Sequence, residues 1–139
     1  MTDLVGPGGL PSIVEAARSI IFIGGWMSGA RWAIREGRLE LKSAGRPKFV
    51  DRVRSITFSA RAALEAGKLV RYVTHVGVFR LVPEGLLLEQ VMPGISVEED
   101  ILAHGGARIR VPNRGVKPVD ARVVTGREFM LQWPAAQAE

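Results

Sequence analysis

Gly6, Gly8 and Gly9 are the residues whose spacing most directly suggests chemistry. They lie in Val5-Gly-Pro-Gly-Gly-Leu10, directly ahead of a segment with helix-start signals. Glycines strip the side chains from such a turn, so its backbone N–H groups can face an anion. That anion is either a phosphate or the oxyanion of a developing tetrahedral centre. The same residues also suit an ordinary tight turn. They lack the Lys and Ser/Thr of a P-loop and the preceding strand of a dinucleotide fingerprint. Elsewhere the chemistry is thinner. His75 and His104 have no ligand-type neighbour three or four residues on, so each reads as a structural histidine, solvent-facing or hydrogen-bonded. Glu98-Glu99-Asp100 falls in the first turn of an expected helix, where carboxylates favour the positive end of the dipole, and no metal site is expected. Glu36-Gly37 and Glu84-Gly85 read as turn residues, and Trp26 and Trp32 as core or interface packing.

The elements that must position these groups follow from pattern. Ser12 and Glu15 stand in capping-box spacing ahead of a short helix running to Ala17. Arg18-Ser-Ile-Ile-Phe-Ile-Gly24 is a continuous apolar run, β-branched and closed by glycines, which predicts a fully buried parallel strand. Arg31–Arg35 and Arg38–Lys42 alternate around Glu36-Gly37 and predict a hairpin. One or two strands are expected over Phe49–Phe58, a helix over Ala60–Ala66, and strands over Lys68–His75, Val76–Leu81 and Leu86–Val91. A second capping box, Ser96 with Glu99, opens a helix that closes at Gly105-Gly106, and Arg108–Val111 reads as a last short strand. The expected division is a domain over residues 1–111 and an extended tail over 112–139.

At 139 residues the chain has the size of one domain, and 47% apolar with 24% charged residues is a globular composition. The absence of Cys excludes disulfides, zinc-thiolate sites and thiol nucleophiles. The longest uncharged run, between Arg18 and Arg31, is too short to span a bilayer, and the N-terminus is unlike a signal peptide. A soluble, cytoplasmic protein without membrane contact is expected. The net charge of +5 is uneven: residues 31–80 hold twelve bases and four acids, whereas 81–107 hold five acids and no base. Such a basic half suits phosphate-bearing partners, including a nucleotide cofactor's phosphates, or is simply a solvated face. Without a long basic run or an aromatic signature, nucleic acid is the weaker expectation.

Several segments, in order, resemble the C-terminal part of the class I acyl-CoA transferases, the acetate/propionate and 3-oxoacid CoA-transferase group. They are Gly6-Pro-Gly-Gly9 with the helix and strand through Gly24, then Lys48-Phe49 with Ile56-Thr-Phe58. Tyr72-Val-Thr74, Val78-Phe-Arg-Leu81 and Pro83-Glu-Gly-Leu86 follow. Last come Glu89-Gln-Val-Met-Pro-Gly-Ile95 and Asp100-Ile-Leu-Ala103. The resemblance covers about residues 5–104. It implies an α/β fold with a mainly parallel sheet, flanking short helices and added β-hairpins.

The resemblance also implies a chemistry. A Glu carboxylate attacks an acyl-CoA, passes through an anhydride and captures CoA as a thioester before transfer to a second acid. On that reading Gly6, Gly8 and Gly9 supply oxyanion or thioester contacts, a CoA thioester is the substrate, and no cofactor is permanently bound. The family's nucleophilic Glu, set in Glu-x-Gly or Ser-Glu-Asn-Gly upstream of the glycine loop, has no counterpart here, so no catalytic residue is assigned to this chain. Gly105-Gly106-Ala107 also replaces bulkier family residues.

The expectation is a small subunit completed by a companion chain that carries the N-terminal portion and the Glu, inactive alone. Alternatives are a non-catalytic relic serving assembly or acyl-CoA binding, and a basic nucleic-acid-binding module. Without the missing portion, apolar surface around Ile21, Ile23 and Trp26 is expected, with association to a companion or to itself.

Overall fold

The apolar run after Arg18 forms strand β1 (Ser19–Ile23), preceded by helix α1 (Leu10–Ala16). The computed structural model describes residues 8–53 and 55–130. Helix α1 starts earlier than the Ser12 capping box implies. Its N-cap is Gly9, no side chain caps it, and Pro11 sits in the first turn, where a missing N–H costs nothing. Ser12 is thereby inside the helix.

Two short antiparallel pairs follow: β2 (Met27–Ser28) with β5 (Arg46–Pro47), and the hairpin β3 (Arg31–Arg35) with β4 (Arg38–Ser43). Glu36 (φ 51°) and Gly37 (φ 73°) both take positive φ, as a two-residue type I′ turn requires. The strands expected over Phe49–Phe58 are absent among the described residues. The segment runs irregularly past Phe49, whose ring stacks on Trp26 at 4.8 Å and whose carbonyl accepts from Gly106 N–H at 3.0 Å. Those contacts leave Val50, Val53 and Ile56 exposed and without a ladder partner.

Helix α2 (Ala60–Glu65) is capped by Ser59, whose Oγ accepts from Ala62 N–H at 3.2 Å. It leads into β6 (Leu69–Val73), β7 (Gly77–Val82) and β8 (Gly85–Val91). The main sheet has the order β1-β6-β7-β8. Beyond β8 lie β9 (Ile109–Arg110) and β10 (Lys117–Pro118), each paired with a different part of that strand. Three of these five pairings are parallel, with β6–β7–β8 an antiparallel meander, so the sheet is mixed.

The segment after Pro112 is not merely extended. It adds β10 and helix α3 (Ala121–Thr125), where Thr125 lies against the Gly37 turn.

The second expected helix is a π-helical turn, Val97–Leu102, with Ala103 N–H bonding to Glu98 O at 3.0 Å. Ser96 Oγ accepts from Glu99 N–H as expected. The reciprocal acceptor is Asp100, four residues on, because the wider winding brings its carboxylate to Ser96 N–H at 2.8 Å. This turn drives Ile101 into the core.

The larger core joins Ile101 to Trp26, Val76, Phe79 and Leu88, all fully buried, with Trp26 and Phe79 stacked at 4.9 Å. Trp26 is therefore interior, contrary to the expected exposed patch. Ile21 and Ile23 are exposed as expected, at 58% and 83%. Strand β1 is consequently buried on one face only, which corrects the reading of a fully buried strand. In the Met-Pro-Gly-Ile stretch Gly94 has φ 96°, and a Cβ there would collide with the Leu39 carbonyl. Leu39 N–H in turn donates to Pro93 O at 2.7 Å, so this turn seats the hairpin on the sheet.

Candidate functional site

The glycine loop and the groove beside it are built by one local arrangement. Gly8 takes φ +58°, open to glycine without cost, and turns the chain into α1. Gly9 then caps the helix, its carbonyl accepting from Ile13 N–H at 3.1 Å. Gly6 lies outside the described residues. Among the described residues, a Cβ on Gly8 would meet nothing within 4 Å and one on Gly9 only Ile13 Cδ1 at 3.9 Å.

Between α1 and α2 runs a groove of about 680 Å³. Its apolar lining includes Val14, Ala17, Phe58, Ala62 and Ala63, over a small core in which Val14 and Ala63 pack with Ile20 and Val70. Arg18, Glu15 and Lys68 supply the charged rim. Lys68 is already engaged: its ammonium donates to the carbonyls of Val14 and Ala17, each at 2.8 Å, and of Glu15. These are the unpaired carbonyls at the C-terminal end of α1, where a cation is favoured. All three of its donors are used. Neither Arg18 nor Lys68 makes an ion pair among the described residues.

The other candidates lie elsewhere. His75 sits in the β6–β7 turn, edge-on to Trp32 at 4.4 Å, with Nε2 buried and unpaired among the described residues. Burial, reinforced by the Lys48 charge, holds its pKa below the ordinary histidine value and favours the neutral ring. His104 continues the π-helical turn, its N–H on Ile101 O at 3.3 Å. Among the described residues no three His, Asp or Glu side chains come together to hold a metal. On the sheet face opposite the helices, Glu89 is gripped by Arg71 Nε at 2.9 Å and Arg80 Nε at 2.7 Å. Burial pushes this carboxyl up, but the two guanidinium groups outweigh it and hold the pKa low. Sequence pattern did not single out this triad. Arg71 and Arg80 are directly paired on β6 and β7, and Glu89 lies on the same face of β8, beside a β-bulge at Val78 and Phe79.

No protein-family model matches the chain. Curated relatives do. The chain is 39% identical over 101 residues to the acetate CoA-transferase YdiF of Escherichia coli (strain K12), which is 71% of this chain and 19% of that protein. It is 34% identical over 100 residues to the caffeate CoA-transferase of Acetobacterium woodii, with the same shares. The fold agrees with the sequence. A thioester complex with CoA of the acyl-CoA transferase YdiF from E. coli O157:H7 superposes with a TM-score of 0.79 at 34% identity. The chain is a relative of the acyl-CoA transferases. The superposition covers 86% of this chain and 23% of that one, and the apoenzyme of the same protein gives a TM-score of 0.80. This acyl-CoA-transferase relative thus spans about a fifth of the length of the curated relatives it matches. Among its described residues no helix is long and apolar enough to cross a membrane.

Proposed function

We propose that this chain is the C-terminal portion of a CoA-transferase assembly, acting as a small subunit. The assembly moves CoA between an acyl-CoA and a carboxylic acid, and another chain supplies the nucleophilic Glu. The observation that carries this reading is agreement of sequence and fold over one portion of relatives named as CoA-transferases, one of them captured as a thioester complex with CoA. In such a reaction a carboxylate takes CoA from the donor by forming a thioester, and the displaced carboxylic acid leaves. The incoming acid then attacks that thioester through an anhydride and departs as the new acyl-CoA, restoring the carboxylate. This chain's part is to line the site. The amides of Gly6, Gly8 and Gly9 stabilise the oxyanion or contact the thioester, and α1, which Gly9 caps, is held at its other end by Lys68. The space that the described residues leave at Gly8 and Gly9 supports close approach of a ligand to the backbone.

Borohydride trapping of the assembled enzyme, charged with acyl-CoA, tests the division of labour. The reduced glutamyl thioester is expected on the companion chain. A label on any Glu of this chain, or CoA transfer by this chain alone, would overturn the reading. Gly9→Ala tests the loop separately. Its φ of −80° accepts alanine and the added Cβ has room, so folding should be unchanged. A close-packed ligand would be displaced, and kcat is expected to fall about tenfold or more. An unchanged kcat would remove the loop from the site.

A further inference from the structure

Among the described residues strand β1 is an edge of the main sheet, and its free side has the character of an interior strand. Arg18 O accepts from Leu69 N–H and Gly24 N–H donates to Val73 O, both at 3.0 Å, so the even-numbered residues of β1 face β6. By alternation Ser19, Ile21 and Ile23 turn their N–H and C=O groups to the open edge. This edge has none of the usual protections. Ser-Ile-Ile-Phe-Ile carries no charge, no proline and no bulge, and it pairs in register with β6 over its whole length.

On the sheet face belonging to this edge, the described residues form no core cluster. Register places Ile21, Arg71, Arg80, Leu87 and Arg110 in one row across five strands. None of them belongs to either core cluster, whereas α1 and α2 pack on Ile20 and Val70 of the opposite face. Glu89 answers the first two arginines, and Arg110 is exposed with no ion pair among the described residues. The row thus carries two positive charges in excess beside two exposed isoleucines.

We infer that this edge and face are the docking surface for the companion chain, which adds a strand to β1. The companion is apolar where it covers Ile21 and Ile23, and it carries carboxylates where it crosses the Arg71–Arg80–Arg110 row. The inference rests on the subunit reading above and specifies its interface. Two features select this occupant. More than three quarters of the solved relative lies outside the matched portion, so in that protein a large body of chain adjoins this fold. A second copy stacked face to face would set the same three arginines against each other, whereas an acidic partner neutralises them.

The test uses the companion identified by its trapped glutamyl label. In the free chain the amides of Ser19, Ile21 and Ile23 should exchange with solvent faster than those of Ile20 and Phe22, and they should become protected on binding. Ile21→Pro deletes an outward N–H while sparing the β6 ladder, and it should weaken the complex about tenfold or more. Ile23→Glu, at a site that is 83% exposed, keeps the free fold and should weaken it comparably. Arg110→Glu should lower affinity and flatten its salt dependence. A complex indifferent to Ile21→Pro and Ile23→Glu would overturn this surface while leaving the subunit reading intact. Protection of the three amides in the free chain, rising with its concentration, would assign the edge to a second copy. If the thioester label falls on this chain, both readings fail together.

Discussion

Thr74 offers the sharpest test of how the sheet is held. It is a buried polar side chain, 4% exposed, at the turn joining β6 to β7. Its Oγ1 donates to Gly77 O at 3.0 Å and accepts from Val76 N–H at 3.3 Å and Gly77 N–H at 3.2 Å. Thr74→Val keeps the shape and removes the oxygen. The Gly77 carbonyl retains Thr74 N–H at 2.9 Å, so the loss falls on the two N–H groups that the hydroxyl accepts. At about 1–1.5 kcal/mol for each buried donor left unpaired, the cost should be about 2–3 kcal/mol. For a domain of this size that is a fall of about 6–10 °C in Tm. Urea unfolding at neutral pH is the assay, with an unchanged slope showing that stability alone has moved. Thr74→Ser keeps all three bonds and gives up one methyl, so it should cost less than about 1 kcal/mol. The reasoning fails if Val is within about 0.5 kcal/mol of the parent, or if Ser is as damaging as Val.

Two further outcomes follow from the same geometry. Because burial lowers the folded pKa of His75, the unfolded chain takes up that proton first as pH falls. Its stability contribution is complete above the unfolded value of about 6.5 and declines as pH drops below it towards the folded value. The urea midpoint should fall as pH drops below about 6.5, and His75→Gln should abolish that slope. Glu89, held low by Arg71 and Arg80, contributes at higher pH and is lost only below the carboxylate range, so its window is separate. Lys68→Met strips the carbonyls of Val14, Glu15 and Ala17 of their ammonium. A loss of about 1–2 kcal/mol is expected, together with faster hydrogen exchange at the Ile13 and Ala17 amides of α1, whereas unchanged exchange would deny Lys68 its anchoring role.

Local grammar in the chain was sufficient where the determinants lie within a few residues. Glu36-Gly37 specified its hairpin because a two-residue turn between alternating strands needs positive φ at both positions. Ser59 capped α2, and the apolar run after Arg18 became a parallel strand, for similarly local reasons. The ordered motifs from Gly6 to Ala103 also carried the family resemblance. Tertiary structure decided what depends on distant partners. Phe49–Phe58 has strand-like composition, but the Phe49 ring is taken up by Trp26 and its carbonyl by Gly106, and among the described residues no ladder forms. Periodicity could not say that one face of β1 is bare, because covering a face is a property of the neighbouring layer. The Arg71–Glu89–Arg80 cluster likewise exists only once three strands, β6, β7 and β8, lie side by side. The apolar run by itself read Ile21 and Ile23 as interior, and only the resemblance to a longer family anticipated their exposure. Only the assembled sheet shows that within this chain nothing described covers them, because burial is set by what packs alongside.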